Sequence, residues 1–81
     1  MNINTLNNNH VVVYNAGTTT LFSYDTEVAM VYTSKGVQRI GLTSSWDYSP
    51  ATLRWLKVFL GTDCSKAEIQ RRLDDNEYVS Y

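Results

Sequence analysis

The chain has 81 residues, 43% hydrophobic and 19% charged, with a formal net charge of −1. That length makes one domain with a small core, and leaves little room for an enclosed substrate pocket. The composition excludes a disordered chain, and the charge balance argues against strong non-specific DNA or RNA binding, which needs a surplus of Lys and Arg.

The Asn-rich opening, residues 1–9, reads as a flexible N-terminal tail ahead of a single domain over 10–81. It has neither the basic start nor the apolar stretch of a secretory signal, so the expected location is the interior of a cell. His10-Val11-Val12-Val13-Tyr14 is β-branched and aromatic and reads as a first strand. Asn15-Ala16-Gly17 has turn chemistry, and residues 19–24 read as a second strand. After the polar break Asp25-Thr26, residues 27–33 read as a third strand, with Val28, Met30 and Tyr32 on one face and Ala29 and Val31 on the other. Apolar groups on both faces place that strand centrally. Ser34-Lys35-Gly36 turns the chain into a fourth strand over 37–42, more polar and nearer an edge. Spacers this short join antiparallel neighbours.

The period then changes. Ser49-Pro50 reads as a helix start, with Ser49 capping a free amide and Pro50 at the first helical position. Leu53, Leu56, Phe59 and Leu60 share one side of this helix, Arg54 and Lys57 the other, and Gly61 ends it as a left-handed cap. Ser65-Lys66-Ala67-Glu68 reads as a capping box opening a second helix that Asp74-Asp75-Asn76 ends. Cys64 and Ile69 stand where a hydrophobic staple would put them, so the lone cysteine is read as packing. One cysteine forms no internal disulfide and suits a reducing compartment. Residues 77–81 add a short strand or dock. The expected architecture is α+β: a four-stranded antiparallel sheet followed by two helices packed on one face, ββββαα.

Little chemistry is spelled out. His10 and Cys64 have no metal-ligand spacing, and no metal or other cofactor is expected. No glycine-rich phosphate loop occurs, and no apolar run is long enough to span a membrane. A nucleophilic pair needs a serine or Cys64 beside a base, and the only histidine abuts the tail, so an enzyme is not expected. Asp74 and Asp75 sit against the helix macrodipole, a placement that hints at binding. Arg39, Lys57, Arg71 and Arg72, with Arg54, form the alternative of a nucleic-acid-binding accessory surface.

The chain is heavy in rings, with six tyrosines and two tryptophans. Tyr, Trp and Arg are the usual anchors of protein interfaces. Phe22, Tyr32 and Phe59 read as core. Trp46, Tyr48, Arg54, Trp55, Tyr78 and Tyr81 are the candidate partner-binding residues.

The segments TTLFSYDTEVAMV and WDYSPATLRWLKVFL resemble a set of small bacteriophage proteins of unassigned function. The likeness rests on a Ser-Tyr-x-Thr-x-Val-Ala strand pair, here Ser23, Tyr24, Thr26, Val28 and Ala29, followed by a Tyr-Ser-x-x-Thr helix start, here Tyr48, Ser49 and Thr52. It covers roughly residues 18–60. Those proteins often carry a basic or His-containing helix after Tyr-Ser, where this chain has Arg54-Trp55-Leu56. The resemblance implies a phage origin and a compact α+β fold, and transfers no catalytic residue. Taken with the ring surplus, it leads to an expected function: non-catalytic, stoichiometric binding to a host protein in the host cytoplasm, as in host takeover or anti-defence (anti-CRISPR-like) inhibition. A self-associating structural module, with homo-oligomers built on sheet edges or the Tyr78–Tyr81 segment, is the other alternative.

Overall fold

The computed structural model describes residues 2–7 and 9–81. Its elements run β1 (Asn2–Asn7), β2 (His10–Asn15), β3 (Thr18–Ser23), β4 (Thr26–Ser34), β5 (Val37–Leu42), α1 (Pro50–Leu60), α2 (Lys66–Asp74) and β6 (Val79–Ser80). The six strands form one sheet in sequence order, antiparallel from β1 to β5, with β6 parallel to β5.

The α+β class holds, but the sheet is larger than four strands and is mixed. The Asn-rich segment expected to be a tail supplies β1, whose Thr5 and Asn4 face Val11 and Val12 of β2. Ladder hydrogen bonds use the backbone, so a polar segment low in strand propensity still adds to an existing edge. At the other side, β5 is not an edge. The two helices make a crossover long enough to return the chain beside β5 in parallel.

Three two-residue hairpins set the antiparallel register. Their turn residues are Ala16-Gly17, Tyr24-Asp25 and Lys35-Gly36, all at positive φ. Paired positive φ matches the twist of the strands. Tyr24-Asp25 alone has no glycine, and a bulky residue at φ 51° is unusual.

The core gathers Leu21, Val28, Ala29 and Leu42 of the sheet with Leu56 of α1 and Ile69 of α2, and both helices cover that face. Val28 was expected on the face of Met30 and Tyr32. A β-bulge shifts the register: Leu21 pairs with Ala29 and Phe22 with Glu27, so Val28 is the extra residue and turns inward beside Ala29. Thr43 stabilises the bulge, its hydroxyl donating to the Glu27 and Val28 carbonyls at 2.8 and 3.1 Å.

Both helix starts follow the capping chemistry of the sequence. Ser49 Oγ accepts from the Thr52 amide, Ser65 Oγ accepts from the Glu68 amide, and Gly61 closes α1 at φ 68°. The second half of the expected capping box is absent. The Glu68 carboxylate receives Arg71 and Arg72 instead, because charged guanidinium donors outcompete a neutral amide. These bonds, Arg71 first, draw the Glu68 pKa down to about 2.

On the face without helices, Gly41 admits the Tyr81 ring. A Cβ built at Gly41 would lie 2.8 Å from Tyr81 Cδ1. Burial, and then a hydrogen bond with Glu27, push the Tyr81 phenol above the ordinary tyrosine range. Gly41→Ala is therefore expected to expel the ring and return the phenol toward its ordinary titration, read by phenolate absorbance. An unchanged titration would mean that Tyr81 is held elsewhere.

Candidate functional site

A cleft of about 420 Å³ opens between the β3–β4 hairpin and the start of α1. The hairpin wall is Ser23, Tyr24, Thr26 and Val28. The facing wall is Ser45, Tyr48, Ser49 and Thr52. It is an open groove, which a small core can form without enclosing a cavity. The two halves of the motif pattern, separated in sequence, thus become the two walls of one cleft.

The second wall is held from both ends. Trp46 is only 6% exposed and sits in the core. Its burial pins the loop of residues 43–49, and the Ser45 amide donates to Thr43 Oγ1 at the bulge. Tyr48, two residues on, is left 77% exposed at the rim. Tyr24 on the opposite wall is 53% exposed. Its amide donates to the Asn9 carbonyl at 2.7 Å, and its ring stands edge-on to His10, with centroids 5.6 Å apart. Those contacts hold a backbone conformation that tyrosine rarely adopts, and such retained strain clusters at functional sites.

Beneath the rim runs a buried polar chain. Asn7 Oδ1 accepts from the Asn9 amide at 2.8 Å, which fixes it as the oxygen. His10 Nδ1, 2.9 Å from that oxygen, must then carry the hydrogen. Burial holds the His10 pKa below its ordinary value, so the ring is neutral and Nε2 is an acceptor. Ser23 Oγ, 3.0 Å away, donates to it. The Ser23 hydrogen being engaged, Thr52 Oγ1 donates to Ser23 at 2.9 Å, and Ser49 Oγ donates to Thr52 at 3.1 Å. One direction runs throughout: Ser49, Thr52, Ser23, His10, Asn7. Among the described residues no buried side-chain polar atom lacks a partner.

Sequence reasoning missed this constellation. It set His10 aside as a neighbour of the tail, whereas His10 is 1% exposed and bonded to Ser23. The cross-strand register places His10 opposite Ser23, and Asn7 stands three positions earlier, across the β1–β2 turn. The only available signal was the Asn-x-x-His spacing.

The other sequence candidates are dispersed. Trp46 and Tyr78 are buried and offer no ring to a partner. The Tyr78 hydroxyl accepts from Arg72 at 3.1 Å, and the Arg72 guanidinium lies over its ring. Trp55 is half-buried, tilted against His10 at 5.8 Å, with the Arg54 guanidinium over its ring. Tyr81 is exposed but belongs to the far sheet face, over Gly41. Arg71 pairs with Glu68, Asp75 and Glu77 at 2.6, 2.6 and 3.0 Å. Arg72 pairs with Glu68 at 3.1 Å. These bonds keep both guanidiniums protonated and occupied. Arg39 and Arg54 are exposed and Lys57 half-buried, on β5 and α1, away from that cluster. Asp75, read as misplaced at a helix end, is accounted for by Arg71, and Asp74 by Gln70. Cys64 packs against the core and its sulfur accepts from the Thr62 hydroxyl at 3.0 Å. Among the described residues no cluster of three or more His, Cys, Asp or Glu has the spacing for a metal ion, and no helix is long and apolar enough to cross a membrane.

A family model described as "Family of unknown function (DUF8033)" matches residues 1–76. The chain belongs to that family. The DUF8033 match takes in both walls of the cleft and the whole polar chain, and ends before Tyr78 and Tyr81. Membership fits the likeness, seen in the sequence, to a set of proteins without an assigned function. Neither the curated proteins nor the solved structures give a match.

Proposed function

We propose that this protein acts by stoichiometric binding to another protein and turns over no substrate, with the rim of the Tyr24–Tyr48 cleft as its recognition surface. The observation that carries the reading is the pair of exposed tyrosines on opposite walls of an open groove, one of them held at positive φ. Tyrosine offers large, rigid contact area at low entropic cost. The anchors are therefore Tyr24 and Tyr48, in place of the buried Trp46 and Tyr78.

The Ser23–His10–Asn7 order matches that of a nucleophile, base and orienter. Catalysis would require His10 to take up a proton. Its ring is enclosed by Tyr24, Trp55, Asn7 and Ser23, and no carboxylate contacts it, so burial opposes that charge. A neutral, oriented floor to a binding groove is the better account. The likeness to small phage proteins supports placing the partner in a host cell, with host takeover or inhibition of a defence complex as the role.

Tyr48→Ala and Tyr24→Asn test the reading. Both sites are exposed, and Asn tolerates the left-handed conformation better than Tyr. Each variant is expected to keep its stability within about 1 kcal/mol of the parent. Each should lose capture of the partner from lysate of the cells in which the chain is made. Capture that survives both changes would remove the cleft as the recognition surface.

A further inference from the structure

We infer that the helix-free face of the sheet is a dimer interface, and that its occupant is the same face of a second copy of this chain. The inference does not use the cleft. Residues paired across neighbouring strands point to the same side. One such row runs the width of the sheet, through Ile3, Val13, Thr20, Met30, Gly41 and Val79. A second row joins Val11 to Phe22 and Glu27. Tyr81 lays its ring over Gly41, where Met30 also reaches. An antiparallel sheet covered on one side ordinarily alternates apolar residues inside with polar ones outside. Here apolar side chains fill most of the outer positions too, while both helices pack on the other face. Ile3 is left 64% exposed and Tyr81 46%, and Val11, Val13, Phe22 and Met30 are half-buried. A contiguous apolar patch of this kind marks an interaction surface.

Shape and area select a second copy. Each strand from β1 to β5 has six residues or more. Five strands about 4.8 Å apart and about 20 Å long make a face of roughly 500 Å² in flat projection, and side-chain relief adds to it. A lone helix, about 10 Å wide, covers only two strands. Another sheet covers all five, stacked about 10 Å away with its strands within about 30°. Two copies together then bury more than about 1,000 Å², the area that a specific interface needs.

Charge fixes how the copies meet. Among the described strand residues of this face, the charged side chains are Glu27, near the start of β4, and Arg39 on β5, opposite Tyr32. They stand near opposite ends of the strands, roughly 13–16 Å apart along them. Glu27 accepts from the Tyr81 hydroxyl and keeps lone pairs for a second donor. A two-fold axis between the faces, perpendicular to the strands, exchanges the two ends. It sets Glu27 of each copy beside Arg39 of the other, so the contact forms twice. The cleft opens on the helix side, at Val28 and Thr52, and stays free in this arrangement. The dimer therefore displays two clefts, which strengthens binding to any partner that engages both.

The test is sedimentation equilibrium of the full chain at concentrations up to about 200 μM. The expected mass is twice the 9.2 kDa of the chain. Val13→Lys, in the middle of the apolar row, is expected to give a monomer with the circular dichroism of the parent. Glu27→Arg and Arg39→Glu are each expected to raise the dimer Kd by about tenfold, because like charges then meet twice. Mixed in equal amounts, these two variants are expected to restore the dimer, since every arginine again meets a carboxylate of the other copy. A contact made within one copy gives no such rescue. A chain that stays at 9.2 kDa throughout, or a dimer that Val13→Lys leaves intact, would overturn the inference. A dimer that shows no rescue on mixing would overturn the two-fold pairing of Glu27 with Arg39.

Discussion

Thr52→Val should lower stability by about 2 kcal/mol, although the two side chains have nearly the same shape. Thr52 is fully buried and its hydroxyl is the central link of the polar chain. Valine leaves no cavity of note, so the cost arises from the partners it strands. Ser49 loses the acceptor for its hydroxyl, and the buried Ser23 oxygen loses its donor. For a domain of this size the change corresponds to a fall of roughly 8–16 °C in Tm. Ser49→Ala, which removes the cap of α1 as well as the outermost link, should cost about 1 kcal/mol, because water reaches that half-buried position. Circular dichroism melts read both. A Tm for Thr52→Val within about 2 °C of the parent would show that the chain contributes nothing to folding.

Stability is also expected to fall on mild acidification, and His10 is the cause. Burial lowers its pKa in the folded protein below the ordinary value of 6.5. Above that value both folded and unfolded states hold a neutral ring, and stability is complete. As the pH drops below it, the unfolded chain binds the proton first, and folding becomes progressively less favourable until the folded-state pKa is passed. Protonation would also turn Nε2 into a donor facing the Ser23 hydroxyl, and the one-way chain would have to reverse. The groups facing His10 are Asn7, Ser23, Tyr24 and Trp55, with no carboxylate or basic side chain among them. Glu68 also carries a lowered pKa, of about 2, but its loss begins only below the ordinary carboxylate value of 4.5. The two windows therefore separate. Urea unfolding between about pH 7.5 and pH 5 should show the decline in the parent and a flat profile in His10→Gln. An equal decline in both would assign the proton elsewhere.

The two helices were the most legible part of the sequence, because their ends are local. Ser49-Pro50, Gly61 and Ser65 each act on amides or carbonyls within a few residues. The four middle strands were legible for the same reason, being joined by two-residue turns. What escaped depended on partners distant in sequence. The pairing of Asn2–Asn7 with β2 is a backbone event that Asn side chains do not announce. The bulge at Val28 is set by how β4 aligns with β3 and by Thr43, fifteen residues on. The cleft shows the limit most clearly. Tyr48 and Trp46 were offered side by side as partner-binding rings, and the fold leaves Tyr48 exposed and buries Trp46. One ring exists to bury, the other is displayed because the first is buried, and composition cannot separate them. The polar chain was invisible because its members carry ordinary roles when read singly: a cap, a helix threonine, a strand serine.

Site-specific photo-crosslinking tests the central claim most directly. A photoreactive phenylalanine analogue would replace Tyr48, and in separate variants Val37 and Val58, which are also exposed but lie away from the cleft walls. Crosslinking to one partner protein from Tyr48, and not from Val37 or Val58, is the predicted result. Crosslinks from Val37 or Val58 with none from Tyr48 would place recognition on another surface.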